Sequence, residues 1–345
     1  MENNVYSYLN QRHLKKTLED DDFEKKLPEL VDQIYEYGFD QLIKDQIASM
    51  KPDLSDWSSL CKKKITLNHI SAQSTVGLNI IKRNMPHLYE VKNYKGMSIS
   101  NLWSKEILKK VLRINRKTHS STYVSEIVRQ IGFAAGTSKV TIYRPLLTKR
   151  IVEYFGAKNV LDPCIGWGGR MIGSVCVPGV KYTGFEPCVK TYEGLCRIRE
   201  SLSLGEKVTI YNLPAEVGME SLRKEYDMII TSPPYYNLEI YSDENTQSHN
   251  YGSYEEWVDK FLYSVIRIAI SKLVSGGTSC WSVKNFKTDK HYNLYDDVKR
   301  IHSELGWVEC GPEFYVGNSV RAGIKDSDKK PVKGKEITFV FKEQT

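Results

Sequence analysis

From about residue 140 onward the chain alternates short apolar strands with helical stretches, and this alternation restricts its fold more than any other feature. The strand-like segments are NVLD, KYTGFE, VTIYN, YDMIIT, GTSCWSV and EITFVFK. Strands separated by helices return to the sheet by crossovers, which builds a mostly parallel sheet covered by helices. Residues 1 to about 125 read differently. FEKKLPELVDQIYEYGFDQLIKDQIASM, ISNLWSKEILKKVLRINRK and STYVSEIVRQIGF each carry apolar residues at helical spacing. In the second, Leu102, Ile107, Leu108, Val111 and Leu112 fall on one face. The expected organisation is a mainly helical region over residues 1–130 and an α/β domain over 131–345.

Composition narrows the function classes. Hydrophobic residues make up 41% and charged residues 26%, the balance of an ordinary globular chain. No apolar run approaches the roughly 20 residues that span a bilayer. The N-terminal MENNVYSYLNQRHLKK has no apolar signal core, so a cytoplasmic location and no membrane partner are expected. The seven cysteines form no CxxC pair, which argues against a structural metal site and fits a reducing compartment. The net charge of +7 suits a polyanionic partner. The Lys-rich stretch RAGIKDSDKKPVKGK reads as an exposed loop, either solvated or in contact with phosphates.

The first chemical signal is NVLDPCIGWGGRMIGSV. A strand ends at Asp162, a turn rich in glycine follows (Gly166, Gly168, Gly169), and a helix begins near Arg170. In open α/β sheets ligands sit at the carboxyl ends of strands, and glycines there let backbone amides approach them. The next strand ends at Glu186, 24 residues after Asp162. A carboxylate at that tip accepts hydrogen bonds from ribose hydroxyls. Pro187 can press on an adenine face, and Asn212 to Ala215, after the third strand, lie beside its edge. No basic residue follows Glu186 to hold a 2′-phosphate, and DPCIGWGGR lacks the GxGxxG spacing of a nicotinamide binder. A cofactor with free ribose hydroxyls and no diphosphate fits, and S-adenosylmethionine is one.

The second signal is YDMIITSPPYYNLEIY. A strand delivers Ser232, Pro233, Pro234 and Tyr235 to its carboxyl end. Two prolines fix φ and remove two backbone donors, so the carbonyls around them stay free as acceptors. An exocyclic amino group needs such acceptors, because its lone pair is delocalised into the ring. Hydrogen bonds to the Ser232 hydroxyl and the Pro233 carbonyl pull it toward tetrahedral geometry, and Tyr235 stacks on a base flipped out of its helix.

This segment resembles the (Asp/Asn/Ser)-Pro-Pro-(Tyr/Phe) motif of the amino-methyltransferases that modify adenine-N6 or cytosine-N4 in DNA. The resemblance covers about residues 140 to 342. IYRPLLTKRIVEYFG is similar to the helix that caps the methionine end of the cofactor in those enzymes, which implicates Tyr143, Arg144 and Pro145. LDPCIGWGGR resembles their DPFxGxGT turn, which implicates Asp162, Pro163, Cys164, Gly166 and Gly168, with Trp167 and Gly169-Arg170 as departures. The resemblance implies a class I Rossmann-like, S-adenosylmethionine-dependent methyltransferase with a mostly parallel seven-stranded sheet. It acts on DNA in a bacterial cell or a phage-infected host, in the setting of restriction and modification. Ser232 leans toward cytosine-N4 over adenine-N6. The alternatives are an RNA amino-methyltransferase and a non-catalytic subunit with this fold. Carbon-5 chemistry is excluded, since it needs a Pro-Cys nucleophile and Asp162-Pro163-Cys164 belongs to the cofactor turn.

Nucleic-acid contacts are expected from Tyr236, Asn237, Lys284, Lys287, Arg321, Lys325, Lys329 and Lys330. The N-terminal region is the only large spare segment. It is expected to read DNA, bind a protein partner or brace the catalytic domain; RINRKTHSSTY is basic and hydroxyl-rich, as phosphate contacts often are.

Overall fold

The computed structural model describes residues 20–64, 74–118, 123–134, 140–325 and 331–344, with only the backbone path over 315–325 and 331–335. The chain forms two compact units, one of Met1–Met50 with Pro86–Thr141 and one of Lys51–Met85 with Ile142–Thr345. The division is therefore not at a single point near residue 130: a stretch read from sequence as part of the helical region folds with the α/β unit.

The first unit is helical in its described residues, with helices Asp20–Tyr37, Phe39–Ser49, Lys105–Thr118 and Val124–Ala134. The single helix read over residues 23–50 is broken at Gly38, whose φ of 88° suits only glycine without strain. Helix Lys105–Thr118 buries Leu108, Val111 and Leu112, while Leu102 precedes it in a 3₁₀ turn and Ile107 is half-buried. Several of its cations are engaged within the unit. Lys105 pairs with Asp32 at 2.8 Å, Arg113 with Glu24 at 2.7 Å, and Arg116 lies over the Phe23 ring at 5.2 Å.

The second unit is built on one large sheet. Its strands are β1 (Asn159–Asp162), β2 (Lys181–Phe185), β3 (Val208–Tyr211), β4 (Tyr226–Thr231), β5 (Leu273–Val283), β6 (Trp307–Glu309), β7 (Phe314–Lys325) and β8 (Pro331–Glu343). They lie in the order β6-β8-β5-β4-β1-β2-β3, with β7 also paired to β8. β1 to β5 are mutually parallel, with Val160 opposite both Tyr182 and Met228 and Ile229 opposite Ser279. β8 runs antiparallel to β5, with Ile337 opposite Val283. Phe341 faces Ser279 of β5 on one side and Glu309 of β6 on the other; Thr338 likewise faces Ser282 and Phe314. β6 and β7 thus lie end to end along one edge of β8, and the sheet is seven strands wide, in agreement with the expected fold class. Asp227 at the start of β4 accepts from the amides of Lys158 at 2.8 Å and Asn159 at 3.1 Å, which sets the stagger of β4 against β1.

The Lys-rich stretch is not a loop over most of its length. Residues 321–325 and 331–335 continue β7 and β8; residues 326–330, which include Lys329 and Lys330, lie outside the described residues. No helix among the described residues is long and apolar enough to cross a membrane.

Residues 51–85 join this unit through buried polar contacts. The ammonium of Lys149, on helix Pro145–Phe155, donates to the carbonyls of Leu60, Cys61 and Lys63 at 3.2, 2.8 and 2.9 Å. These carbonyls end helix Asp53–Lys62, where that of Leu60 also takes the Lys63 amide at 3.3 Å, and all three ammonium protons are used. Arg197 similarly donates to the Asn84 carbonyl at 2.9 Å, closing helix Leu78–Asn84. Lys149→Met keeps the stem volume and strands those carbonyls. It should lower stability by roughly 2–3 kcal/mol, the scale of hydrogen bonds to a charged group, in denaturant melts.

Candidate active site

β1 lies between β2 and β4, so the crossover after β1 goes one way and the chain later returns on the other side. At such a switch point the carboxyl ends of the strands leave a crevice. The turn after Asp162, Glu186 after β2, Asn212 after β3 and Ser232 after β4 all stand at that edge of the sheet. The fold thus brings together the cofactor-turn residues and the SPPY segment singled out from the sequence.

Asp162 is fully buried, and its oxygens are taken by the protein. One accepts from Thr231 Oγ1 at 2.7 Å and from the Cys164 amide at 3.1 Å. The other accepts from Tyr182 OH at 2.7 Å and from Arg170 Nε at 2.8 Å. Arg170 also donates to the carbonyls of Cys164 and Ile165, and its guanidinium lies 5.2 Å from the Tyr143 ring centroid. Asp162 therefore shapes the turn from beneath. Arg170, which looked like a departure from the resemblance, is its ion partner.

The turn itself is held open by glycine. Gly166 has φ 57° and Gly168 φ 84°, and a Cβ on Gly166 would project into open space. A Cβ on Gly169 would lie 2.1 Å from the Tyr143 carbonyl oxygen, so the chain before helix Pro145–Phe155 presses directly on the turn. Tyr143 is buried, bonded through its hydroxyl to Ser282 and Thr338 at 3.1 Å each, and burial pushes its phenol up to about 12. Arg144 donates to the Ser74 carbonyl at 2.9 Å, and Pro145 occupies the first helical position.

Glu186 is buried at the tip of β2. Its carboxylate accepts from the Gly166 amide at 3.0 Å and the Cys188 amide at 2.9 Å. Each oxygen keeps a second acceptor direction, as ribose hydroxyls require. Burial pushes its carboxyl up to about 7 against the pull of those two amides. Asn212 donates to the Glu186 and Pro187 carbonyls at 2.8 and 3.0 Å, which fixes the tip of β3 beside that of β2. Ala215 is buried in the following helical turn. Its neighbour Glu216, which sequence reasoning passed over, has a buried carboxyl oxygen with no hydrogen bond.

Past β4, Pro233 is buried while Ser232, Pro234 and Tyr235 are half-buried. Burial holds the Tyr235 phenol well above its ordinary value, so it stays protonated beside Ser232. The Tyr235 ring stacks on Phe286, with centroids 5.5 Å apart and planes 13° apart, and the Lys284 ammonium is 5.5 Å from its centroid. Tyr236 has φ 38°, a left-handed conformation that turns its ring into a cluster with Tyr254, Trp257 and Tyr292. Asn237 accepts from Thr288 Oγ1 at 3.1 Å. Sequence reasoning missed two acidic residues nearby, Glu239 and Glu336, both raised in proton affinity by burial. Strand patterning marks Glu336 as the first residue of EITFVFK but not which face it takes.

The expected phosphate contacts are dispersed. Lys287 is exposed; Lys284 is half-buried against Tyr235. Arg321 and Lys325 fall on β7.

Residues 226–344 match the family model described as DNA methylase, of the N6/N4 amino-methyltransferase type. The solved structures similar to this chain include TrmN from Thermus thermophilus, at 16% identity over 58% of this chain and 48% of that one, with a TM-score of 0.38. TehB from Haemophilus influenzae matches at 13% identity over 62% of this chain and 65% of that one, with a TM-score of 0.38. A putative rRNA-methylase from Clostridium thermocellum matches at 12% identity over 60% of this chain and 99% of that one, with a TM-score of 0.39. The aligned part thus spans about half of TrmN. No curated protein matches the chain. The family match supports a methyltransferase that uses S-adenosylmethionine, and the site fits that group. Glu186 offers acceptors to ribose hydroxyls, Gly166 leaves room for close approach, and the first turn carries no phosphate-binding GxGxxG.

Two outcomes follow from this geometry. Asp162→Asn leaves Arg170 buried without its counter-charge and should cost about 3–5 kcal/mol in denaturant melts, rather than weakening cofactor binding alone. If ribose hydroxyls dock on the ionised Glu186 carboxylate, as the free acceptor directions allow, binding competes with its protonation and affinity should rise with pH through about 7 and level off above it. Calorimetry below that point should show roughly tenfold weaker binding per pH unit, a slope that Glu186→Gln removes.

Proposed function

We propose that this protein transfers a methyl group from S-adenosylmethionine to the exocyclic amino nitrogen of a base in DNA, with cytosine-N4 preferred to adenine-N6. The observation that carries the reading is the position of SPPY. It leaves the strand next to β1, so the acceptors around Pro233 and the Tyr235 ring share a crevice with the turn and with Glu186. The family match over residues 226–344 supports the same chemistry.

In this reading Asp162, Pro163, Cys164, Gly166 and Gly168 form the cofactor turn, backed by Tyr143, Arg144 and Pro145. Glu186, Pro187, Asn212 and Ala215 surround the adenosine. S-adenosylmethionine supplies an electrophilic methyl group when bound. Ser232 and the Pro233 carbonyl accept the two amino N–H groups, which localises the nitrogen lone pair. Phe286 takes one face of Tyr235, and the flipped base stacks on the ring by displacing the Lys284 side chain that lies over it. Lys287 and the basic strand β7 contact phosphates. The helical unit is the part available for target recognition or a protein partner, because the α/β unit's length is spent on strands and crossovers. The work of such an enzyme is done on DNA in the cytoplasm.

The direct test incubates the protein with labelled cofactor and duplex DNA, single-stranded DNA or RNA, followed by nucleoside analysis. N4-methylcytosine in DNA is expected; label in RNA alone overturns the DNA assignment. In single-turnover assays Tyr235→Ala should lose on the order of 100-fold in rate through misplacement of the base, with cofactor binding intact. Ser232→Ala should be impaired and Ser232→Asp partly active, since a carboxylate accepts the same hydrogen bond. A wild-type rate in Tyr235→Ala would remove SPPY from the base pocket.

A further inference from the structure

Methylation of an amino group leaves a proton to be disposed of. As the nitrogen–carbon bond forms, the sulfur–carbon bond breaks with its electron pair on sulfur, and the positive charge passes to nitrogen. One N–H bond must then break, its electron pair returning to nitrogen and its proton going to a base. Where the first residue of this motif is Asp, a carboxylate stands beside the amine. Here it is Ser232, whose hydroxyl, like the Pro233 carbonyl, is no base near neutral pH.

Besides Asp162 and Glu186, two further carboxyl groups, Glu239 and Glu336, stand near this end of the sheet. Glu239 is engaged by the Tyr241 phenol, which donates to it. Glu336 precedes Ile337, the partner of Val283, so the antiparallel register puts it beside Lys284 at the mouth of β5. In the neighbouring strand Thr231 pairs with Trp281, which brings the SPPY segment alongside the same row. Lys284 in turn lies over the Tyr235 ring, 5.5 Å from its centroid, within the SPPY segment itself. No hydrogen bond holds the Glu336 carboxyl among the described residues.

We infer that Glu336 is the general base that takes the amino proton during methyl transfer, an inference that rests on the base-methylation reading above. Glu239 opposes its ionisation through space, and a negative charge on Glu336 in turn favours the neutral phenols of Tyr235 and Tyr143, which burial already keeps protonated. Lys284 and Arg170 favour the carboxylate. The balance, dominated by burial, raises its proton affinity above that of an ordinary glutamate, which suits a group that must accept a proton before releasing it to solvent.

The experiment measures single-turnover methyl transfer to DNA, with cofactor saturating at every pH so that Glu186 does not shape the profile, across the acid-to-alkaline range for the wild type, Glu336→Gln and Glu336→Asp. Cofactor affinity by calorimetry and thermal melts accompany each variant. The expected result is a loss of about 100-fold in Glu336→Gln with cofactor affinity and melting unchanged, the scale of general base catalysis. The wild-type rate should fall on the acid side, that limb should vanish in Glu336→Gln, and Glu336→Asp should recover part of the rate. A Glu336→Gln rate near wild type, or an acid limb that persists in it, overturns the inference and leaves base methylation standing. A loss matched by weaker cofactor binding or early melting, with the acid limb intact, assigns Glu336 a structural role and also overturns it. A wild type that methylates no nucleic acid overturns the function itself, and the inference with it.

Discussion

The ion pair between Asp162 and Arg170 holds the geometry on which the site depends. A buried pair is tolerated only when its remaining donors and acceptors are satisfied, and here the Asp162 oxygens receive Thr231 from β4, Tyr182 from β2, and the Cys164 amide from the turn. Three neighbouring strands and the first glycine turn are thereby fastened to one carboxylate at the end of β1. Arg170 extends the fastening through the Cys164 and Ile165 carbonyls and the face of Tyr143. The crevice is preorganised as a result: Glu186 and Ser232 stand on strands whose ends cannot move independently.

Much of this was legible in the sequence, because parallel strands buried on both faces are short apolar runs. NVLD and YDMIIT read as strands to the residue, and the order of turn, acidic strand tip and SPPY located the crevice. What escaped did so for physical reasons. Asp162 reads as a ligand contact, since nothing local shows that Arg170, eight residues on, folds back onto it. β7 reads as loop because Lys, Arg, Gly and Asn dilute its apolar pattern, and an edge strand needs little of one. Residues 51–85 read with the N-terminal helices, since helical periodicity does not say which partner a helix packs on. Lys149 settles it through three carbonyls at distant positions in the chain.

The SPPY segment is supported from below by aromatic packing. Tyr235 stacks on Phe286, Phe286 on Tyr292 at 4.9 Å, and Tyr292 meets Tyr254 at 4.5 Å. The positive φ of Tyr236 falls in a turn closed by the Leu238 amide donating to the Tyr235 carbonyl at 2.8 Å, and the Tyr236 ring joins the same layer. Such a conformation costs free energy in a tyrosine and persists because the cluster over-determines it. Within this cluster Tyr236, Tyr254 and Tyr292 pack on one another, and Tyr254 and Tyr292 back Phe286, the ring on which Tyr235 rests.

Three of the carboxyl groups at this end of the sheet, Asp162, Glu186 and Glu336, meet different surroundings. Asp162 meets a guanidinium and three further donors, so its charge is spent inside the fold. Glu186 meets two backbone amides under heavy burial, which leaves acceptor directions free and places its titration near neutrality. Glu336 sits among cations and phenols with no hydrogen bond among the described residues to hold it. Environments that separate the proton affinities of like groups separate their roles as well. A serine at the head of the motif is consistent with that division. Removing a carboxylate from the amine's immediate contact spares the site a further buried negative charge beside Glu239 and Glu336, whose proton affinities burial already raises.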